Sequence, residues 1–215
     1  MPARSADRSR EAALRRRGYR RIAGLDEVGR GCLAGPVVAA AVVLGRGESI
    51  RGLRDSKTLA PAARECLAQQ IVERSEACTI GLVDAEEIDR SDILRATYEA
   101  MRRAVGSLRA RPDFLLVDAL TIPDLPIPQQ GIIRGDGSTA SIAAASIVAK
   151  VYRDHLMRTL HSAYPVYRFD SNKGYGTRQH LEALRRFGAS PLHRTTFHGV
   201  LPGQAPLFAA GTEGA

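Results

Sequence analysis

The chain has 215 residues, 44% hydrophobic and 25% charged, with a formal net charge of +8 and a pI near 9.9. That suffices for one sizeable domain, while no apolar run approaches the roughly 18 residues of a membrane span and the Arg-rich N-terminus lacks the apolar core of a secretory signal. Cys32, Cys66 and Cys78 form no C-x-x-C pair, which argues against a zinc site or disulfide framework and fits a reducing cytoplasm.

In chain order, residues 1–18 read as a basic arm, mobile or partly helical. Tyr19 to Glu27 reads as a first strand and Pro36 to Leu44 as a second, joined by a glycine-rich link from Gly29 to Gly35. Pro61, at a first-turn position, opens a helix to about Ser75. A third strand follows around Cys78 to Val83. Asp92 or Ser91 caps a helix from Ile93 to about Leu108, in which Leu94, Tyr98, Met101 and Val105 recur at helical spacing. Phe114 to Val117 is continuously apolar, as in a central parallel strand buried on both faces, and ends in Asp118. Gly131 to Arg134 reads as a short strand, followed by Gly135-Asp136-Gly137 and a long helix from Ser138 to about His161. A loop from Tyr164 to Tyr175 leads to a last helix, Thr177 to Phe187, with Gly188 as its C-cap. The Gly/Pro/Ala-rich residues 201–215 read as a disordered tail, leaving 19–200 as the folded domain. Strands first, then helix–strand alternation, imply an α/β fold with a mixed sheet flanked by helices.

The charge is uneven: +6 over residues 1–21, −3 over 22–133 and +6 over 134–194. A polyanion such as nucleic acid is the natural partner of the two basic regions; the bland alternative is a solubilising arginine-rich surface. Asp26 and Asp118 each close an apolar strand, and Asp136 sits between glycines before a helix. Converging strand ends would bring these carboxylates together, where they repel unless hard divalent cations neutralise them. Asp26 is expected as the central ligand and Glu27 at the margin, because successive strand side chains point to opposite faces. Arg30, between Gly29 and Gly31, places a phosphate-seeking cation on backbone that a ligand can approach closely. The arrangement suggests phosphodiester chemistry. Taken singly, each Asp is equally a turn former.

The chain resembles the type 2 bacterial ribonuclease H family over about residues 19 to 200. The likeness is carried by Gly24-Leu25-Asp26-Glu27-Val28-Gly29-Arg30-Gly31, Asp55-Ser56-Lys57, Val117-Asp118, and Gly135-Asp136 leading into Ser141 to Lys150. Lys173-Gly174-Tyr175-Gly176-Thr177 and His193-Arg194 complete it. The resemblance implies a ribonuclease H-like fold with a helical C-terminal part. It implies an acidic site of Asp26, Glu27, Asp118 and Asp136 with two Mn²⁺ or Mg²⁺ ions. The reaction implied is endonucleolytic cleavage of RNA in RNA–DNA hybrids and nicking 5′ of a single ribonucleotide in duplex DNA, leaving a 3′-hydroxyl and a 5′-phosphate. Gly29-Arg30-Gly31 would read the junction ribose and Tyr175 would pack on the next sugar. Lys57, Lys150 and Arg194 are further phosphate-facing expectations, each with a solvated charge as its alternative, and His193 is read as structural.

The segment after Arg194 departs from the family in reading Thr195-Thr196-Phe197, where Ser more often precedes the Phe. In the tail, Gln204-Ala205-Pro206-Leu207-Phe208 is similar to the pentapeptide with which bacterial proteins dock on the replication sliding clamp. A cytoplasmic monomer with no membrane contact is expected. Rival readings are a type 3 ribonuclease H acting on hybrids only, a non-catalytic hybrid-binding module, and a DNA-cleaving relative of the fold.

Overall fold

The computed structural model describes residues 6–46, 50–53, 56 and 59–201. Helix α1 (Ser9–Arg16) precedes strands β1 (Ile22–Val28) and β2 (Val37–Leu44), then come α2 (Pro61–Arg74), β3 (Ser75–Val83), α3 (Ala85–Arg90) and α4 (Ile93–Gly106). Strands β4 (Phe114–Asp118) and β5 (Gln129–Ile132) follow, then α5 (Ala140–Ala163), α6 (Phe169–Asn172) and α7 (Arg178–Phe187). The five strands form one mixed sheet in the order β3-β2-β1-β4-β5. β1 is antiparallel to β2 and parallel to β4, and β5 is parallel to β4. The direction of pairing changes at β1, and ligand sites of such sheets gather at this kind of switch.

Alternation sorts the two faces. Ala23, Leu25, Leu115 and Val117 join Val37, Ala39, Ala41 and Val43 under α4, against Ala100, Met101 and Ala104. Val38, Ala40, Val42 and Leu44 face α2 and α5 on the other side, with Ile22, Phe114 and Leu116 against Ile142. β2 is buried along its whole length, an antiparallel strand covered by helices on both faces, so it reads as an unbroken apolar run. Gly24 lets α5 touch the sheet directly: a Cβ there would lie 2.1 Å from the Ser141 backbone carbon.

Of the arm expected to be mobile or partly helical, residues 6–18 are described; they are helical at α1 and docked on the domain. Leu14 is buried against Ile22 and Phe114, and the Glu11 carboxylate accepts the Ser141 amide at 2.8 Å. Thr139, at the N-cap of α5, makes no side-chain cap bond, so Glu11 satisfies an otherwise orphaned first-turn donor from across the chain. Two further corrections concern short elements. Helix α3, absent from the periodicity reading, is announced by Asp84, whose side chain accepts from the Glu87 amide; the Asp-x-x-Glu pattern is its only local signal. The expected loop from 164 to 175 contains a 3-10 turn at Pro165–Tyr167 and α6. Asp55, Lys57 and the 204–208 segment lie outside the described residues.

Candidate active site

Three elements bring Asp26, Asp118 and Asp136 together. Leu25 stands opposite Val117 in the β1–β4 pair, so Asp26 and Asp118 come next in register and share the α5 face of the sheet. Asp136 enters from the 3-10 turn Gly135–Gly137 between β5 and α5. One carboxylate oxygen of each lies within 4.8 Å of the others. The Gly135 amide donates to Asp118 Oδ1 at 2.7 Å and the Glu27 amide to Asp26 Oδ1 at 2.8 Å, which fixes both carboxylates.

The site holds negative charge under strain. Asp26 is buried, and burial first, then the neighbouring Glu27 and Asp118 carboxylates, hold its carboxyl well above the usual carboxylate pKa range; hydrogen bonds from Ser146 and the Glu27 amide oppose this. Glu27 lies beside the three: its Oε1 accepts from Arg30 Nη1 at 3.3 Å. Burial raises its carboxyl too, against the pull of Arg30. Its Oε2 is buried and accepts no hydrogen bond from the described residues. An all-oxygen set of close carboxylates, with one orphaned oxygen at its edge, fits a hard divalent cation such as Mg²⁺ or Mn²⁺ and fits soft metals poorly.

Beside the carboxylates, β1 ends at Val28, and at Gly29 (φ +95°) the chain turns through Arg30 and Gly31 toward Gly35 (φ +81°). The 172–177 turn is strapped to this link: Leu33 N donates to Gly174 O at 2.8 Å and Ala34 N at 3.3 Å. Contact is so close that a Cβ on Gly174 would lie 2.3 Å from Ala34 O. Tyr175, on that turn, is 42% exposed and lies beside Cys32, the residue after Gly29-Arg30-Gly31. Burial, with the nearby Cys32 thiol, raises its phenol. Behind it, the buried pair His180 and His193 ties Tyr175 O to Ser190.

The other expected contacts sit differently. Arg194 does not face outward as a phosphate ligand; it is fully buried, and its guanidinium donates to Gly29 O, Arg30 O and Gly35 O at 2.7, 2.8 and 2.8 Å. Its positive charge is used inside the protein because three backbone carbonyls converge on it. Lys150 pairs with Asp154 at 2.8 Å, and Asp154 also lies 3.9 Å from Arg64, so Lys150 belongs to a local ion network. Arg153, on the same helix as Lys150, is also fully buried and bonds Pro36 O, Lys173 O and Ala34 O. Sequence carried no signal for this, since those acceptors are 20 to 119 residues away.

The family model for ribonuclease HII matches residues 23–200. Ribonuclease HII of Desulfitobacterium hafniense (strain DSM 10664 / DCB-2) is 57% identical over 183 residues, 85% of this chain and 70% of that protein. Among solved structures, ribonuclease H2 of Pyrococcus horikoshii OT3 superposes with a TM-score of 0.72 at 28% identity, over 84% of this chain and 95% of that one. Ribonuclease HII of Archaeoglobus fulgidus, solved in complex with PCNA, gives 0.68 at 26% identity over 80% and 91%.

Proposed function

The chain belongs to the ribonuclease HII family, and from that premise we propose that it nicks duplex DNA on the 5′ side of a single embedded ribonucleotide and cleaves RNA in RNA–DNA hybrids, leaving a 3′-hydroxyl and a 5′-phosphate. Membership makes it an endoribonuclease H, a phosphodiester hydrolase. What supports the finer reading is that the Asp26–Asp118–Asp136 cluster stands beside the Gly29-Arg30-Gly31 turn, Arg30 bonding the Glu27 next to Asp26, which would let a cleavage centre and a ribose reader share one surface.

Asp26, Asp118 and Asp136, with Glu27 at the margin, would hold Mg²⁺ or Mn²⁺. Bound there, a divalent cation supplies a more acidic water and neutralises charge on the phosphate. The chain's own residues do the rest. Gly29 and Gly31 bring backbone to the 2′-hydroxyl, the group that separates RNA from DNA. Tyr175 stacks on the neighbouring sugar, and Arg30, 3.3 Å from Glu27, offers a cation to the phosphate. Lys57 and Lys150 remain proposed backbone contacts.

Removal of stray ribonucleotides and RNA primers is the role this chemistry serves. Three unpaired thiols support a cytoplasmic setting, and among the described residues no helix is long and apolar enough to cross a membrane. Docking on a sliding clamp through Gln204–Phe208 is proposed from the motif, alongside the PCNA complex of the Archaeoglobus fulgidus protein; deletion of 204–208 should abolish clamp binding. The decisive assay uses a DNA duplex with one ribonucleotide, Mg²⁺ or Mn²⁺, and the Asp26→Asn variant. A 5′ nick absent in the variant supports the reading. Cleavage of long hybrids only would assign the type 3 specificity, and binding without cleavage the non-catalytic module.

A further inference from the structure

Among the described residues, Arg153 and Arg194 are the largest fully buried side chains, and both bond carbonyls of the Gly29–Gly35 link. Arg194 makes four hydrogen bonds to it: Nη2 to Gly29 O and Gly35 O, Nη1 to Arg30 O and Nε to Gly35 O. Its guanidinium also lies 5.0 Å from the centre of the Phe197 ring, a cation–π contact. Arg153 bridges the same link to the Tyr175 turn through Ala34 O, Pro36 O and Lys173 O. Among the described residues, no carboxylate pairs with either guanidinium. Every hydrogen bond that either guanidinium makes among the described residues goes to a backbone carbonyl.

The consequence for the outer surface follows from peptide geometry. A trans peptide holds its C=O and N–H on opposite sides, and the described residues include no cis bonds. Drawing Gly29 O and Arg30 O in toward Arg194 turns the amides of Arg30 and Gly31 outward. Neither amide has an acceptor among the described residues, and Gly31 is exposed with open space where a Cβ would stand. A cation at the carbonyl end of a peptide also strengthens the donor at its other end.

We propose that Arg194 is a positioning residue for ribonucleotide recognition: it holds and polarises the Gly29 and Arg30 peptides so that the amides of Arg30 and Gly31 form a fixed donor pair for an oxygen of the junction nucleotide. Burial lowers the Arg194 guanidinium to about 10, which leaves it a cation at neutral pH. The inference rests on the reading of Gly29–Gly31 as the ribose reader, and its test separates the two.

Binding of a duplex with one ribonucleotide and of the same all-DNA duplex is measured in EDTA, where no cleavage occurs, for wild type, Arg194→Gln and Arg194→Lys. Hydrogen exchange of residues 29–36 is followed in parallel. The expected result is a roughly tenfold fall in the ribonucleotide/DNA affinity ratio for Arg194→Gln, equivalent to about 1.4 kcal/mol. Lys, which keeps the charge without the fork, should recover it in part. Exchange should quicken at 29–36 while Mn²⁺ binding to the carboxylates is unchanged. A purely structural role would lower the active fraction on both duplexes equally and leave the ratio intact, which would overturn the proposal. Should wild type itself not discriminate, the ribose-reading assignment falls; unchanged exchange at 29–36 in the variants would then overturn the role of Arg194 separately, and local quickening would uphold it as the residue that orders the turn. Should Arg194→Gln not fold, Arg194→Lys carries the same comparison.

Discussion

His193 Nε2 and His180 Nε2 lie 2.9 Å apart, and the far side of each ring decides which nitrogen carries the proton. The Ser190 amide, which can only donate, bonds His193 Nδ1 at 2.9 Å. His193 is therefore protonated at Nε2 and donates to His180, whose own proton sits on Nδ1 and goes to Tyr175 O at 2.8 Å. The relay from Ser190 to the Tyr175 turn exists only while both rings are neutral.

Stability should therefore fall in acid. Burial and the neighbouring ring press His193 down to about 4, and burial lowers His180. The unfolded chain, titrating near 6.5, binds more protons throughout the interval. The contribution is complete above about pH 6.5 and is lost as pH falls toward 4, amounting to roughly 3 kcal/mol for His193. Urea midpoints of wild type and His193→Gln should differ at pH 7.5 and converge toward pH 4; parallel curves would refute the relay.

Asp26→Asn should abolish cleavage and yet stabilise the metal-free protein. The buried Asp26 carboxylate faces two others within 4.8 Å, and its raised pKa means that the folded state loses stability as pH rises through that shifted value. Asn keeps the acceptor for the Glu27 amide and removes the repulsion. A gain of about 1 kcal/mol, or roughly 2–4 °C in melting temperature, is expected at pH 7.5 without metal. Adding Mn²⁺ should raise the melting temperature of wild type and leave the variant little changed. A variant that melts below wild type in EDTA would contradict this account.

The acidic site was legible because its parts are local: each Asp ends an apolar run or sits between glycines, and the parallel β1–β4 pairing only had to align them. The β2 run and the amphipathic α4 were equally local patterns. What stayed hidden was long-range. Arg194 and Arg153 resemble any surface cation in sequence, and only folding shows carbonyls more than 100 residues away converging on them. Glu11 belongs to the same class, since its partner lies 130 residues downstream. Helix α3 was missed because six residues give too little periodicity to detect.

Removing the Glu11 carboxylate should cost stability well beyond that of an exposed arm residue. It is 2% exposed and accepts the Ser141 amide in the first turn of α5. Glu11→Ala leaves that donor buried and unpaired, a loss of about 1–3 kcal/mol. Glu11→Gln keeps an acceptor and should restore about half. Chemical denaturation of the three proteins decides the matter; an Ala variant within ~0.5 kcal/mol of wild type would show that α1 merely rests on the fold.

Two glycines near the site should respond in opposite ways to the same added methyl group. At Gly24 the new Cβ would meet backbone, 2.1 Å from Ser141 C and 2.4 Å from Ile142 N. Neither can rotate aside as a side chain would, so α5 must lift from β1. Because Asp136 precedes α5 and Asp26 lies two residues beyond Gly24, lifting the helix also separates the carboxylates. Gly24→Ala should cost about 3 kcal/mol or more and weaken Mn²⁺ binding by calorimetry in whatever fraction folds. At Gly31 the Cβ enters open space, so Gly31→Ala should melt as wild type does and bind Mn²⁺ normally. Its loss should appear only as a raised KM for ribonucleotide-containing duplex, because the methyl group occupies the surface on which the ribose would rest. Equal melting temperatures for the two variants would show that α5 is not seated on β1 as described.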